Sequence, residues 1–203
     1  MTDPHTTPAC PPRREDRARH RQAIIDAATA LFAAQGFHAA TMQAIAARAE
    51  VSVGYLYKHF ASKDDIFAAI LAGHLDRINE LIAEVQQREL PPLTELRATL
   101  DVIAHHFNLN RDFMHIYHDN LDAVLEQSHD EKANHRRLLI ANLAHAHARG
   151  ELRACDIELV ASAVLGASRE LFLALAKRKD DNPFTEMPNL LFSLLIDPLR
   201  PSP

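Results

Sequence analysis

The apolar residues of this chain recur every three or four positions, which is the spacing of helices that bury one face. The first apolar stripe begins after Arg17 and ends before Gly36, and glycine readily takes the left-handed conformation found just beyond helix ends. The stripe consists of Ile24, Ile25, Ala28, Leu31 and Phe32. We therefore predict a long amphipathic helix at the start of the folded chain.

Two short helices and one longer helix are predicted next. Thr41 caps the helix Met42 to Ala49, and a break at residues 50–52 separates it from a second short helix, Val53 to His59. Ser62 then caps a longer helix, in which an acid three residues after the cap lies at the positive end of the helix dipole.

Helical spacing continues to the end of the chain, and no segment shows the alternation of a strand. Glycine is scarce, with 5 residues, which agrees with long helices and few tight turns. Residues 1–15 are proline-rich without periodicity and are predicted to form a flexible tail. The fold class predicted is all-α, with further helices at about 93–108, 111–126, 130–148, 156–179 and 186–197.

The two short helices match a helix-turn-helix, in which the second helix projects so that its outer residues enter a DNA major groove. The seam between the two helices requires small or apolar residues, and Ala46, Val51 and Leu56 have that character. The residues left for the outer side of the second helix are Gly54, Tyr55, Lys58 and His59.

The residues of this segment also follow a known pattern. It reads Thr41-x-x-x-Ile45-Ala46-x-x-Ala49-x-Val51-Ser52-x-Gly54-x-Leu56-Tyr57-x-His59-Phe60-x-Ser62-Lys63-Asp64. This pattern resembles the N-terminal signature of the TetR family of transcriptional regulators, over about residues 20–70. The remainder of the chain resembles that family only in its length and helical character.

The resemblance implies a homodimeric DNA-binding regulator, most often a repressor, which a small-molecule effector releases from a palindromic operator. It implies a helix-turn-helix DNA-binding domain at residues 16–62, after the tail at 1–15. The helical domain for effector binding and dimerisation would span residues 63–203. A cytoplasmic protein with no cofactor and no enzymatic activity is expected.

Site residues follow from the resemblance position by position. Residues expected to contact phosphates are Thr41, Tyr57, Lys58, His59 and Lys63. Residues expected to face base edges are Ser52, Val53, Gly54 and Tyr55. Leu56 and Phe60 are assigned to packing.

Two residues depart from the family pattern. Glu50 occupies a turn position where many relatives have glycine, and a left-handed conformation there would cost about 1–2 kcal/mol for a residue with a side chain. Val53 stands where lysine or arginine is common, and valine can contact a thymine methyl group but cannot hydrogen-bond guanine. The operator sequence therefore cannot be read from this chain.

The charge distribution adds a second indication of a polyanionic partner. The chain carries a net charge of −5, but residues 1–63 hold eight Lys or Arg and five Asp or Glu, so this part is +3 and the rest is −8. Much of the positive charge precedes or begins the first helix, at Arg13, Arg14, Arg17, Arg19 and Arg21. Two alternatives are open for these arginines. Either they contact phosphates or an adjacent minor groove, or they belong to a solvated tail.

An effector cavity is expected in the helical domain, lined mainly by apolar groups. Aromatic and histidine residues cluster on the helices predicted at 93–108 and 111–126. The candidate effector-binding residues are Phe107, Phe113, Met114, Tyr117 and His118. The same spacing is also expected of ordinary core residues.

Thirteen histidines raise the alternative of an all-helical enzyme or metal-binding protein. His115 and His118 lie on one helical face, but a transition-metal site needs three or four converging ligands, and no second cluster supplies them. No nucleophile elbow, phosphate-binding loop or HExxH motif is present. No metal site is therefore assigned.

The last two predicted helices are candidates for dimerisation. Helix 156–179 is apolar on all sides from Leu159 to Leu175, and helix 186–197 is rich in leucine. Such a pair forms a four-helix interface with a symmetry mate, or packs within one chain. The resemblance favours the dimer. No run of about 18–20 apolar residues and no secretory signal is found, and two cysteines build no disulfide framework.

Overall fold

A computed structural model describes residues 14–119, 129–178 and 180–201. All regular elements in these ranges are helices, so the all-α prediction is confirmed. The chain divides into two compact units at residues 67 and 68, a division that falls within the fourth helix.

The first unit contains a three-helix head and the start of a fourth helix. Its elements are α1 (Arg14–Gln35), α2 (Met42–Arg48), α3 (Val53–Tyr57) and the first turn of α4 (Lys63–Gln86). Helix α2 packs against both α1 and α3. The fully buried side chains at its centre include Ile24, Ile45, Leu56 and Ile66, which occupy the apolar positions that the sequence pattern predicts.

The second unit is a helical bundle. After α4 come α5 (Pro92–Leu109), α6 (Arg111–Asp119), α7 (His129–Ala148), α8 (Ile157–Ala176) and α9 (Met187–Leu191). A π-helical turn (Phe192–Ile196) and a 3-10 turn (Asp197–Leu199) continue from α9. Helix α7 packs against α5 and α8, and α9 packs against the same two helices. Residues 120–126 of the helix predicted at 111–126 lie outside the described residues.

Side-chain caps fix where the helices of the head begin. The Thr41 hydroxyl accepts a hydrogen bond from the Ala44 N–H at 3.1 Å, and the Ser52 hydroxyl accepts one from the Tyr55 N–H at 3.1 Å. Ser62 and Asp65 cap α4 reciprocally, because each side chain accepts from the other's backbone N–H. These contacts confirm the caps predicted at Thr41 and Ser62.

The turn between α2 and α3 contains a left-handed residue. Glu50 has φ +55°, a region that side chains other than glycine occupy at a cost. The turn is held by two hydrogen bonds, from the Glu50 N–H to the Ala47 carbonyl and from the Val51 N–H to the Ala46 carbonyl. The departure from glycine noted in the sequence is therefore a strained position.

Glu50→Gly is expected to stabilise the head by about 1 kcal/mol. Relief of about 1–2 kcal/mol of left-handed strain exceeds the entropy cost of glycine, about 0.5–1 kcal/mol. Thermal melting measures the change, as a rise of a few degrees. Ala47→Gly is the matched control, because this exposed residue lies in helical backbone and the substitution is expected to destabilise. Equal destabilisation by both substitutions would contradict the strain at residue 50.

Candidate nucleic-acid interface and effector cavity

One side of α3 is open to solvent. Ser52, Gly54 and Lys58 are exposed, and Tyr57 is 50 % exposed despite its size. A methyl group added to Gly54 would meet no other group within 4 Å, so another surface can approach this backbone closely. Val53 is half-buried. The helix therefore offers an exposed backbone, an aromatic hydroxyl and an ammonium group to a partner.

The opposite side of α3 is buried against its support. Leu56 is fully buried and Ala46 of α2 is 1 % exposed, while Val51 between them is half-buried. Phe60 is also buried, and the guanidinium of Arg21 lies 5.1 Å from its ring centroid. The predicted inner seam and the packing roles of Leu56 and Phe60 are confirmed.

Tyr55 connects α3 to α1. Its hydroxyl lies 3.2 Å from Nδ1 of His20, and the two rings meet edge to face at 5.3 Å between centroids. Tyr55 is half-buried as a result, and its contact with base edges stays a prediction. Sequence reasoning missed His20, because 35 residues separate the two partners and no local pattern joins them.

His59 lies in a positively charged environment. Its ring contacts Tyr55 with centroids 4.9 Å apart. Burial lowers the pKa of His59 below its usual value, and the nearby charges of Arg17, Arg21 and His20 lower the pKa further. This side of the head therefore concentrates cationic groups, as a phosphate-binding surface requires.

The two predicted phosphate contacts at helix starts have different surroundings. Thr41 is exposed, and its hydroxyl proton remains available although its oxygen caps α2. The ammonium of Lys63 donates to the carbonyl oxygens of Phe37 at 2.8 Å and His38 at 3.1 Å, and it lies 4.8 Å from the Phe37 ring centroid. Two of its three donors are thus used within the head, and this geometry favours a structural role.

The arginines around the start of α1 are only partly described. Arg17, Arg19 and Arg21 are exposed, and Arg19 pairs with Asp16 at 3.2 Å. The side chains of Arg13 and Arg14 lie outside the described residues.

The second unit contains a cavity of about 730 Å³ that is partly open to its surroundings. Residues from each of the helices α4 to α9 line it, most of them apolar. Of the predicted effector residues, Phe107 and Phe113 lie in its wall. Met114 does not: it is 2 % exposed and packs in the core, because it follows Phe113 on α6 and points elsewhere. The side chains of Tyr117 and His118 lie outside the described residues.

A histidine pair forms part of the cavity wall. Nδ1 of His74 lies 3.1 Å from Nε2 of the buried His106, and the His74 ring stacks on Phe113 with centroids 3.7 Å apart. Burial lowers the pKa of His74 to about 4, with a smaller contribution from His106. Burial also lowers the pKa of His106, followed by the charges of Arg77 and His105. Both rings are therefore neutral at pH 7. His106 belongs to the cluster of aromatic and histidine residues noted in the sequence, but neither His106 nor His74 is among the candidate effector-binding residues.

A second polar group lies near the other end of α5. The Asn142 amide donates to the Glu95 carboxylate at 3.4 Å, and both residues line the cavity. The buried Oδ1 atom of Asn142 has no hydrogen-bond partner among the described residues. Arg136 also lines the cavity and pairs with Ser162 and Glu158.

The described ranges contain no group of three or more His, Cys, Asp or Glu residues placed to hold a metal ion. Helix α8 is long and apolar enough to cross a membrane by length and composition alone, a test that the core helices of soluble proteins also pass. It packs against α6, α7 and α9 within the second unit.

Comparison with known proteins identifies relatives of the head. Residues 24–70 match the model of the bacterial regulatory proteins of the tetR family. The HTH-type transcriptional activator FasR of Mycolicibacterium smegmatis is 34 % identical over 88 residues, 43 % of this chain and 40 % of that protein. The HTH-type transcriptional repressor KstR2 of Mycobacterium tuberculosis is 33 % identical over 90 residues, 42 % of this chain and 45 % of that protein. The chain thus spans less than half the length of these curated relatives.

Solved structures match over most of the chain. The ketosteroid transcriptional regulator KstR2 of Mycobacterium tuberculosis superposes with a TM-score of 0.71 at 20 % identity, covering 90 % of this chain and 95 % of that one. A TetR-like transcriptional regulator from Rhodococcus sp. RHA1 gives 0.68 at 26 % identity, with 89 % and 96 % covered. These proteins therefore share the helical fold of this chain.

The stability of the second unit is expected to fall as the pH drops from about 6.5 to about 4. The unfolded chain binds a proton at His74 near pH 6.5, whereas the folded chain binds it only near pH 4. The contribution of neutral His74 to the free energy of unfolding is fully present above pH 6.5. Because part of this side chain is exposed, solvent screening reduces the contribution to about 1–2 kcal/mol.

Denaturant unfolding at pH 7 and pH 5 measures this loss, and His74→Phe is expected to reduce it. His105→Phe is the matched control, because His105 is exposed on the same helix as His106. An unchanged pH dependence in His74→Phe would contradict a neutral His74.

Proposed function

We propose that this chain, whose N-terminal unit belongs to the tetR family of bacterial regulatory proteins, is a DNA-binding transcriptional regulator controlled by a small molecule. The observation that carries the proposal is the amphipathic position of α3. Leu56 is buried on one side, while Gly54, Tyr57 and Lys58 are open on the other. A short helix held in this way fits a DNA major groove.

Repression of a palindromic operator is the form of regulation that we propose. The relatives include a repressor, KstR2, and an activator, FasR, and both are named as transcription regulators. An enzyme whose histidine-rich body carries the activity is therefore not favoured. Because its partner is chromosomal DNA, we place the protein in the cytoplasm.

The contacts with DNA divide into two groups. Phosphates are assigned to Thr41, Tyr57, Lys58 and His59, and base edges to Ser52, Val53, Gly54 and Tyr55. Lys63 contributes mainly by holding the segment after α1, since its ammonium already donates to two carbonyl oxygens. A phosphate beside His59 would oppose the surrounding cations that lower its pKa.

A homodimer is proposed through α8 and the region that begins with α9. Only 28 % of the most apolar window of α8 is buried within the protomer, and Leu159 on this helix is 68 % exposed. Leu190 and Leu194 are 37 % and 66 % exposed. Large exposed leucines on two packed elements match the apolar surface of an obligate interface.

The cavity of the second unit is the proposed effector site. Its 730 Å³ lie within the usual range of small-molecule pockets, and its mostly apolar wall suits an apolar ligand. Proteins of similar fold are described as a ketosteroid transcriptional regulator, a putative fatty acid metabolism regulator and a fatty acid degradation regulator. An effector shifts DNA affinity only through its different affinities for the two states of the regulator, typically by about 1–3 kcal/mol.

Lys58→Ala is expected to weaken DNA binding without changing the melting temperature, because its ammonium is exposed and caps nothing through its side chain. Loss of one phosphate contact from each protomer of the proposed dimer, two in all, reduces the slope of log affinity against log salt by about 1.8. Gel shifts with a duplex selected from a random library by the wild-type protein measure both effects. Lys177→Ala, an equal charge change at an exposed residue of the second unit, is the control. Equal affinities for both variants would contradict the assignment of Lys58.

Leu194→Glu is expected to convert the dimer to monomers, because it places a charge in the proposed apolar interface. Analytical ultracentrifugation at micromolar concentration measures the change. Leu109→Glu provides the matched control, since Leu109 is 71 % exposed and lies at the end of α5. A Leu194→Glu protein that sediments as the wild type does would exclude this surface as the interface.

A further inference from the structure

Three side chains form a hydrogen-bonded row that ends at the cavity. Asn110 caps the end of α5, and its amide donates to the His106 carbonyl oxygen at 2.7 Å and lies 3.4 Å from His106 Nδ1. Nε2 of His106 lies 3.1 Å from Nδ1 of His74, which lines the cavity. The row therefore runs from Asn110 through His106 to His74.

The direction of this row fixes the tautomer of His74. The Asn110 amide nitrogen can only donate, so Nδ1 of His106 accepts and the proton of this neutral ring is on Nε2. Nε2 of His106 then donates to Nδ1 of His74. The proton of neutral His74 is consequently on its own Nε2, and no described residue hydrogen-bonds to that atom. Among the described residues, His74 therefore presents one N–H donor without an acceptor.

We propose that the Nε2–H of His74 binds an oxygen acceptor of an uncharged, elongated and otherwise apolar effector, with His106 and Asn110 as the residues that position this donor. The inference rests on the proposed effector site and adds to it the chemical class of the ligand. A keto, ester or ether oxygen satisfies the donor, and a group that can only donate does not.

The shape of the cavity supports an elongated ligand. Its wall includes α4 residues from Leu71 to Gln86, which spans about 22 Å along a helix. A volume of 730 Å³ distributed over that length gives a mean cross-section of about 33 Å². This section accommodates a single chain or a row of rings. The Glu95–Asn142 pair lies about 16 Å from His106 along α5, near the opposite end of this helix.

The surroundings of His74 favour an uncharged group over a carboxylate. Phe113 stacks on His74, and Phe107 and Phe172 line the same cavity. A carboxylate beside a neutral histidine and these rings would lose its hydration without gaining a counter-ion. The guanidinium of Arg136 is already paired with Glu158, whereas Arg169 is an exposed lining residue and provides the alternative anion site.

The test compares three probes of equal length: 2-undecanone, the olefin 2-methyl-1-undecene, in which a CH2 group replaces the oxygen, and undecanoate. Displacement of an apolar fluorescent dye, Nile red, measures their affinities. We expect the wild type to bind the ketone about tenfold more tightly than the olefin, which is the effect of one hydrogen bond. His74→Phe is expected to bind both equally and to retain its affinity for the olefin.

Two further variants separate the donor from the fold. His74→Phe leaves the Nε2–H of His106 without its acceptor, which by itself can destabilise the fold. The double variant His74→Phe/His106→Phe removes both groups and is therefore measured beside the single variant. His74→Gln retains an N–H donor and is expected to restore part of the preference for the ketone. Nitrogen chemical shifts of the wild type are expected to show His74 protonated at Nε2.

Several outcomes would overturn the inference while leaving the proposed regulator intact. They are equal binding of ketone and olefin to the wild type, a preference that survives in His74→Phe, an Nδ1–H tautomer, or tightest binding of undecanoate that Arg169→Met abolishes. Absence of binding by every probe would overturn the effector site together with this inference. Gel shifts without probe test DNA binding separately.

Discussion

The short length of helix α3 is the constraint on which the first unit depends. Helix α3 has five residues, far fewer than a helix needs to be stable alone in water. Its conformation therefore comes from its support: the cap by Ser52, the complete burial of Leu56 and the contact of Tyr55 with His20. Because the inner side is fixed, the outward groups keep a defined spacing, and a rigid arrangement lowers the entropy cost of binding.

Features that arise from neighbouring residues could be predicted from the sequence. The caps at Thr41 and Ser62, the stop at Gly36 and the buried seam at Ala46 and Leu56 depend on spacings of a few residues. Periodicity also predicts the helices of the second unit. These signals are local, so no knowledge of the tertiary arrangement is needed to read them.

Contacts between distant residues could not be predicted in the same way. Lys63 and Phe37 are 26 residues apart, and His74 and His106 are 32 apart. Helical spacing shows that a residue such as Met114 is buried, but it does not distinguish a core contact from a cavity wall. The assignments to Phe107 and Phe113 agree with the cavity because aromatic residues on two adjoining helices tend to converge.

The left-handed backbone at residue 50 restricts which side chains this turn accepts. Asparagine, aspartate and glycine tolerate the region, whereas valine, isoleucine and threonine are strongly disfavoured there. The backbone geometry therefore limits which residues can replace Glu50, whatever their charge. A change between glutamate and glycine removes one negative charge beside the exposed side of α3 while the left-handed path of the chain stays the same, so the electrostatics of this surface can differ between two sequences that share one head structure.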